Sequence, residues 1–305
     1  TQQGNTPWDF SYVDTTVHDG VATITINRPE AMNALNVTVV GQLTQAVAAA
    51  NANDAVNTIV LDGAGKAFVA GADVKFFVDK IRADAIPDIY DFTAEGHELL
   101  NMLETSSKTT VALTTGLALG GGLELALACD YRIGTRRTQF RFPETSIGIY
   151  PGLGGSQRPA RICGIPVARW AVLAGNFMDA NTAADLGLVT HLVDVAGVDA
   201  CIKTLASEGK PAQKYPGQPA NPASPVAKFA STFFTDANMA VLMNGDCPEG
   251  FDKEEKIVAR QIKSLSFTAP IGLRMASDLI DATATTDLQA GLKLELDGLN
   301  TIFST

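Results

Sequence analysis

The sequence predicts an α/β protein that gives way to helices alone toward its C-terminal end. Three observations carry this. Short period-two or wholly apolar runs alternate with helical patterns from residue 21 to about residue 193, the signature of a sheet with crossover helices. From Val226 onward no strand pattern is convincing, and apolar residues recur only at helical spacing. Between the two parts, residues 210–225 hold five prolines (Pro211, Pro216, Pro219, Pro222 and Pro225) and read as a linker or surface excursion.

Residues 21–26 alternate with period two and end at Asn27, Arg28 and Pro29, so they read as a strand running into a turn. Residues 37–50 carry apolar positions at helical spacing, with Asn36 placed as an N-cap. Residues 58–61 are a short buried strand closed by Asp62 and Gly63. A loop with Ala70, Gly71, Ala72 and Asp73 follows, then a helical stretch that becomes long and amphipathic over residues 87–104. Residues 109–114 form a third strand, leading through Gly116 to Gly120, Gly121 and Gly122 and a helix over residues 121–128. Residues 131–133 and 139–142 are two more strands, and helical patterns occupy residues 226–243, 253–265, 271–282 and 287–302. No exact internal repeat is visible. The organisation expected is a core over residues 1–206, a proline-rich linker and helical insertion over 207–249, and a helical C-terminal region over 250–305.

A chain of 305 residues can bury one large core or divide into two unequal parts. Its 46% hydrophobic and 18% charged content describes an ordinary globular protein. A net charge of −10 argues against nucleic acid or an anionic membrane as main partner. It leaves room for an anionic small ligand, because local cations and helix N-termini can outweigh the global field. Residues 111–129 are long enough to span a bilayer, but three consecutive glycines and Glu124 inside them reject that reading. No basic-then-apolar N-terminal signal is visible, so a cytoplasmic location is expected. Cys129, Cys163, Cys201 and Cys247 fit no metal-ligand spacing and read as reduced structural thiols; His18, His97 and His191 stand alone. No metal is expected.

Two acids carry the chemistry. Glu124 lies in an otherwise apolar run, and a buried carboxylate is costly unless it is paired or used. A salt bridge or a surface helix position is the plain alternative for it. Glu144 follows Phe142 and Pro143 in a second turn, twenty positions on. Gly120, Gly121 and Gly122 stand between a strand and a helix, where backbone N–H groups can face a developing negative charge. Neither a Walker lysine nor the spaced-glycine dinucleotide pattern accompanies them. The loop with Ala70, Gly71, Ala72 and Asp73 could bring another N–H to the same oxygen, or be an ordinary turn before a helix.

These motifs, in this order, resemble the crotonase superfamily of enoyl-CoA hydratases and isomerases. Asn27-Arg28-Pro29 with Asn33-Ala34-Leu35 resembles its opening strand and turn. Residues 68–75 resemble its first oxyanion loop, and Gly120-Gly121-Gly122-Leu123-Glu124 with Cys129-Asp130 its second. Phe142-Pro143-Glu144, Pro151-Gly152 and Gly154-Gly155-Ser156-Gln157-Arg158 resemble the second-glutamate segment. The match runs from about Trp8 to Val193 and returns from Ala269 through Glu295.

The resemblance implies a crotonase-like spiral of ββα units with a helical C-terminal region that serves trimerisation or capping. It implies that the N–H groups of Ala72 and Gly121 bind a thioester oxygen, that Glu124 activates water, and that Glu144 delivers a proton to the α-carbon. It places Ala70 at the adenine of coenzyme A, Lys75 near a phosphate, Asp73 in the same binding loop and Arg28 as a helper. Phe76, Phe77, Leu99, Leu100 and Leu103 would line an acyl pocket, with Tyr150 where the family usually has an aliphatic residue. Plain core is the alternative for each. No cofactor is implied beyond the coenzyme A thioester as substrate, and a homotrimer or hexamer is implied as the assembly. The insertion after residue 206 is similar to the hydratase half of fusions that carry a 3-hydroxyacyl-CoA dehydrogenase. With the Thr1 start and the stop at Thr305, that gives the expectation of a piece of a longer polypeptide. Other crotonase reactions, double-bond isomerisation or C–C hydrolysis, and a non-catalytic CoA-binding scaffold remain the alternatives to hydration.

Overall fold

The structure, a computed structural model, describes residues 11–304. Trp8, where the family resemblance begins, lies outside them. Among the described residues ten strands form two sheets: β1 (Val13–His18), β2 (Val21–Ile26), β3 (Thr58–Gly63), β4 (Ala67–Ala70), β5 (Thr109–Thr114), β6 (Leu117–Leu119), β7 (Tyr131–Gly134), β8 (Gln139–Arg141), β9 (Met178–Asp179) and β10 (His191–Leu192). The larger sheet has the order β1-β2-β3-β5-β7-β10 and the smaller β4-β6-β8-β9. Strands pair in parallel except at the β1–β2 and β8–β9 edges.

This order is a spiral. β3, β5 and β7 each add a strand to the large sheet, and β4, β6 and β8, next in the chain, each add one to the small sheet. A helical stretch then returns the chain to the large sheet. The Val37–Ala52 helix leads into β3, the Ile86–Glu104 helix into β5 and the Gly121–Ala128 helix into β7. The crotonase-like spiral of ββα units is therefore observed, followed by helices alone from Pro225 to Phe303.

Local chemistry sets the boundaries. Asn36 caps the Val37–Ala52 helix, its side chain accepting from the Val39 amide at 2.8 Å. Every residue of the Gly121–Ala128 helix is buried, and the helix touches strands of both sheets. That explains why its sequence is apolar all round. Gly122 permits this packing, since a side chain there would collide with the Val69 carbonyl of β4.

Three expectations change. The small sheet occupies segments read partly as loop, because β4 and β6 are only four and three residues long. The helical pattern over 226–243 is two helices, Pro225–Phe233 and Asp236–Met243, with Thr235 as the N-cap of the second. The boundary drawn at residue 206 falls inside the Val198–Glu208 helix.

The proline-rich stretch is strapped to the core by its side chains and backbone. Lys210 Nζ lies 2.7 Å from Asp130, and Lys214 Nζ lies 2.7 Å from Glu104. The Gly217 and Gln218 amides donate to the carbonyls of Arg161 and Ile162. Among the described residues no helix is long and apolar enough to cross a membrane.

Candidate active site

Three backbone segments meet at one cavity of about 350 Å³. The end of β4 brings Ala70, Gly71 and Ala72; the start of the buried helix brings Gly120, Gly121 and Glu124; the turn after β8 brings Pro143 and Glu144.

The amides come first. Ala72 bridges to Leu35, but the bonds of that bridge run from the Leu35 amide to the Gly71 carbonyl and from the Asp73 amide to the Leu35 carbonyl. The Ala72 N–H takes no part in them. Gly121 is the first residue of its helix, where backbone N–H groups have no intrahelical acceptor. A Cβ built on Gly121 would lie 3.8 Å from the Ala72 nitrogen, so the two residues face one another. Gly120 turns with φ +47, and a side chain there would collide with the carboxylate of Glu144. Its amide donates to the Arg141 carbonyl at 2.9 Å, tying the glycine turn to the strand that leads to Glu144.

The two glutamates differ in how they are held. Glu124 is 2% exposed, and its Oε1 accepts from the Leu153 amide at 2.7 Å and the Gly155 amide at 2.6 Å. Burial pushes its pKa up to about 7 against those two hydrogen bonds and the nearby Arg158. Glu144 is partly buried as a residue, yet its Oε2 is shielded from solvent with no hydrogen-bond partner among the described residues. Burial first, and then the charge of Glu124, hold its pKa well above the usual carboxylate range. Two acids coupled in this way ionise in sequence, Glu124 before Glu144.

The remaining expected site residues divide. Phe77 and Tyr150 line the cavity. Phe76 packs behind them, its ring 5.4 Å from Phe77 and 5.0 Å from Phe92. Leu99, Leu100 and Leu103 do not line it; they are buried in the core on the Ile86–Glu104 helix, whose Phe92 and Thr93 reach the cavity instead. Helical geometry separates them, because positions six to eleven residues on lie roughly two to three turns away along the axis. Asp73 caps the Val74–Arg82 helix and lies 3.3 Å from Arg28 Nη2. Arg28 also donates to the Ala34 carbonyl at 3.2 Å, so it is engaged in holding its own turn. Lys75 is exposed and paired with Asp79 at 2.7 Å, on the helix whose Val74 and Val78 line the cavity.

Other contributors escape a reading of the sequence. Leu299 and Phe303 of the Leu288–Phe303 helix line the cavity, and the rings of Phe77 and Phe303 stack at 5.8 Å. Glu295 of the same helix is fully buried nearby. The signal for it was available: Leu292, Glu295, Leu299 and Ile302 share one apolar stripe, where a carboxylate is out of place. Among the described residues no three His, Cys, Asp or Glu side chains gather as metal ligands. All four cysteines are free, and burial pushes the Cys129 and Cys163 thiols up to about 12.

A two-sheet spiral that brings the Ala72 and Gly121 backbone and two shielded carboxylates to one cavity defines a crotonase-like fold with a candidate acid–base site. The sequence profile of the enoyl-CoA hydratase/isomerase family matches residues 21–305, and the chain belongs to that family. It is 38% identical over 174 residues to the crotonyl-CoA hydratase of Syntrophomonas wolfei, covering 57% of this chain and 65% of that one. It is 34% identical over 189 residues to the short-chain-enoyl-CoA hydratase of Clostridium acetobutylicum, covering 62% and 71%. The chain thus spans about 65% of the length of several curated relatives it matches. The crystal structure of an enoyl-CoA hydratase from Rhodobacter sphaeroides shares the fold, with a TM-score of 0.79 at 23% identity over 95% of this chain and 84% of that one.

Proposed function

We propose that this chain adds water reversibly to a trans-2-enoyl-CoA, giving a (3S)-3-hydroxyacyl-CoA by syn addition. The observation that carries the reading is the pair of shielded carboxylates, Glu124 and Glu144, lining one cavity with the Ala72 and Gly121 amides. Glu124, titrating near neutral pH, takes a proton from water as the oxygen bonds to the β-carbon. The π electrons move onto the thioester oxygen, where the two amides receive the enolate charge. Glu144, still protonated at that pH, gives its proton to the α-carbon. The added atoms sum to one water, and a proton passing from Glu124 to Glu144 through solvent resets the pair. General acid–base help is worth roughly 10²–10⁴-fold and one oxyanion donor about 3 kcal/mol. The step asks for no metal or redox cofactor.

Coenzyme A enters along the 70–75 loop. Ala70 meets the adenine, and the exposed Lys75 exchanges Asp79 for a phosphate. Arg28 contributes by holding Asp73 and, with it, the start of the Val74–Arg82 helix. Phe77, Phe92 and Tyr150 surround the acyl chain. A homotrimer or hexamer and a fused or associated 3-hydroxyacyl-CoA dehydrogenase, which would consume the product, complete the proposal; the insertion after residue 206 supports the latter. The test follows loss of the conjugated enoyl absorbance of crotonyl-CoA, with a 3-enoyl-CoA run in parallel. Loss with crotonyl-CoA is expected, whereas conversion of the 3-enoyl-CoA alone would favour isomerisation.

A further inference from the structure

We propose that Glu295 is a positioning residue for Glu124, acting through the 153–156 loop that the two carboxylates hold from opposite sides. The inference rests on the hydratase reading above and adds a residue to it.

The loop hands its amides out alternately. The Leu153 amide goes to Glu124 at 2.7 Å, Gly154 to Glu295 at 2.6 Å, Gly155 to Glu124 at 2.6 Å and Ser156 to Glu295 at 3.0 Å. The Ser156 hydroxyl adds a donor to Glu295 at 2.5 Å. Gly154 takes φ +98, and a Cβ on Gly155 would lie 2.7 Å from Glu124 Oε1. The ribbon is therefore drawn tight between the carboxylates, and a shift of Gly154 and Ser156 moves the two amides that aim Glu124. Removing a hydrogen-bonded acceptor buried this deeply leaves its donors unpaired, which the loop can relieve only by moving. Displacements of about 1 Å at a catalytic group can cost on the order of 10²-fold in rate.

Other contacts show the same frame. The Tyr150 hydroxyl donates to the Glu295 carbonyl at 2.6 Å. His97 Nε2 bonds to the Gly152 carbonyl at 2.7 Å and lies 3.8 Å from Glu295 Oε2. Arg158 Nη1 donates to the Leu153 carbonyl at 3.1 Å. The charged and titratable groups facing Glu295 are thus Glu124, Glu144, His97, Tyr150 and Arg158. His97 is lowered by burial to about 4 and stays neutral near pH 7, so it does not alter the like-charge coupling between the glutamates.

The test compares Glu295→Gln with wild type on crotonyl-CoA. Glutamine keeps the size but turns its carboxamide NH2, a donor, toward one of the donating loop amides. The expected result is a kcat reduced about 10-fold or more, with KM changed less than about 3-fold. The acid limb of the kcat profile should also move to higher pH, because Glu295, raised to about 8, is already neutral where Glu124 titrates, and displaced Leu153 and Gly155 amides no longer favour the Glu124 carboxylate. Ser156→Ala, which keeps Glu295 and removes one donor, guards against a variant that does not fold; it should show a smaller kcat loss at unchanged KM. A folded Glu295→Gln enzyme with wild-type kcat and acid limb overturns the proposal, as does Ser156→Ala with wild-type kcat. Carbon-13 NMR titration of labelled glutamates reads the Glu124 pKa without turnover. An absence of hydration in wild type would therefore sink the hydratase reading alone, and an unmoved Glu124 titration in Glu295→Gln would sink the positioning claim alone.

Discussion

Two groups of buried charge share the stretch around residues 151–158, and they are built in opposite ways. Glu104 is met by Arg158 Nε at 2.9 Å, Lys214 Nζ at 2.7 Å and the Tyr215 hydroxyl at 2.8 Å. Burial alone would raise its pKa, but the two cations bring it below the ordinary value. Among the described residues Glu124, Glu144 and Glu295 have no lysine or arginine in ion-pair contact, and burial raises all three, Glu295 to about 8. A counter-ion fixes a carboxylate in one protonation state at neutral pH, which suits a brace. Amide donors without a counter-ion leave it able to take and release a proton, which suits a catalyst. Arg158 belongs to the brace yet reaches the Leu153 carbonyl, so one group supports the other.

The largest effect should come from removing the proton carriers. Glu124→Gln and Glu144→Gln are each expected to lower kcat by about 100-fold or more while calorimetry finds coenzyme A affinity retained. A near-wild-type rate in either variant would remove that residue from the mechanism.

Breaking the brace should instead cost stability. Glu104→Gln leaves Arg158 and Lys214 buried without their anion, and should lower unfolding free energy in urea by about 3–5 kcal/mol. An unmoved urea midpoint would erase the contrast between the two groups.

The same contrast has a pH signature in stability. Glu124 is raised from 4.5 to about 7, so the folded protein binds its proton more tightly than the unfolded chain. Its contribution is full below about 4.5 and is lost as pH rises through 7. Glu124→Gln lacks this loss and should gain melting temperature over wild type at pH 8 relative to pH 5. A gain that is equal at both pH values would contradict the assigned direction. The smallest effect belongs to Tyr150→Phe, which loses one hydrogen bond to the Glu295 carbonyl and should destabilise by about 1 kcal/mol in thermal unfolding.

Glu124 was legible because a carboxylate stands out in the apolar run of residues 111–129, and that run is the wholly buried helix with its flanking strands. The strands of the large sheet were legible too where four or more residues kept a period or an apolar run, as at β2, β3 and β5. β1 was not, since only Val13 of its six residues is buried. The small sheet was read only in part because strands of two to four residues show no period. Glu295 shows the deeper limit. Its place in an apolar stripe is visible, but the donors that explain it lie 139 to 141 positions earlier in the chain. Leu99 and Leu103 show the converse: apolar residues on a helix beside a pocket are equally suited to the core, and only packing decides.

The most direct measurement is the pH dependence of kcat for hydration of crotonyl-CoA by the wild-type protein. The rate should rise through about pH 7 as Glu124 ionises and fall only at higher pH, where Glu144 loses its proton. A rate already maximal above the ordinary glutamate range near 4.5, with no limb near 7, would contradict the division of labour between the two acids.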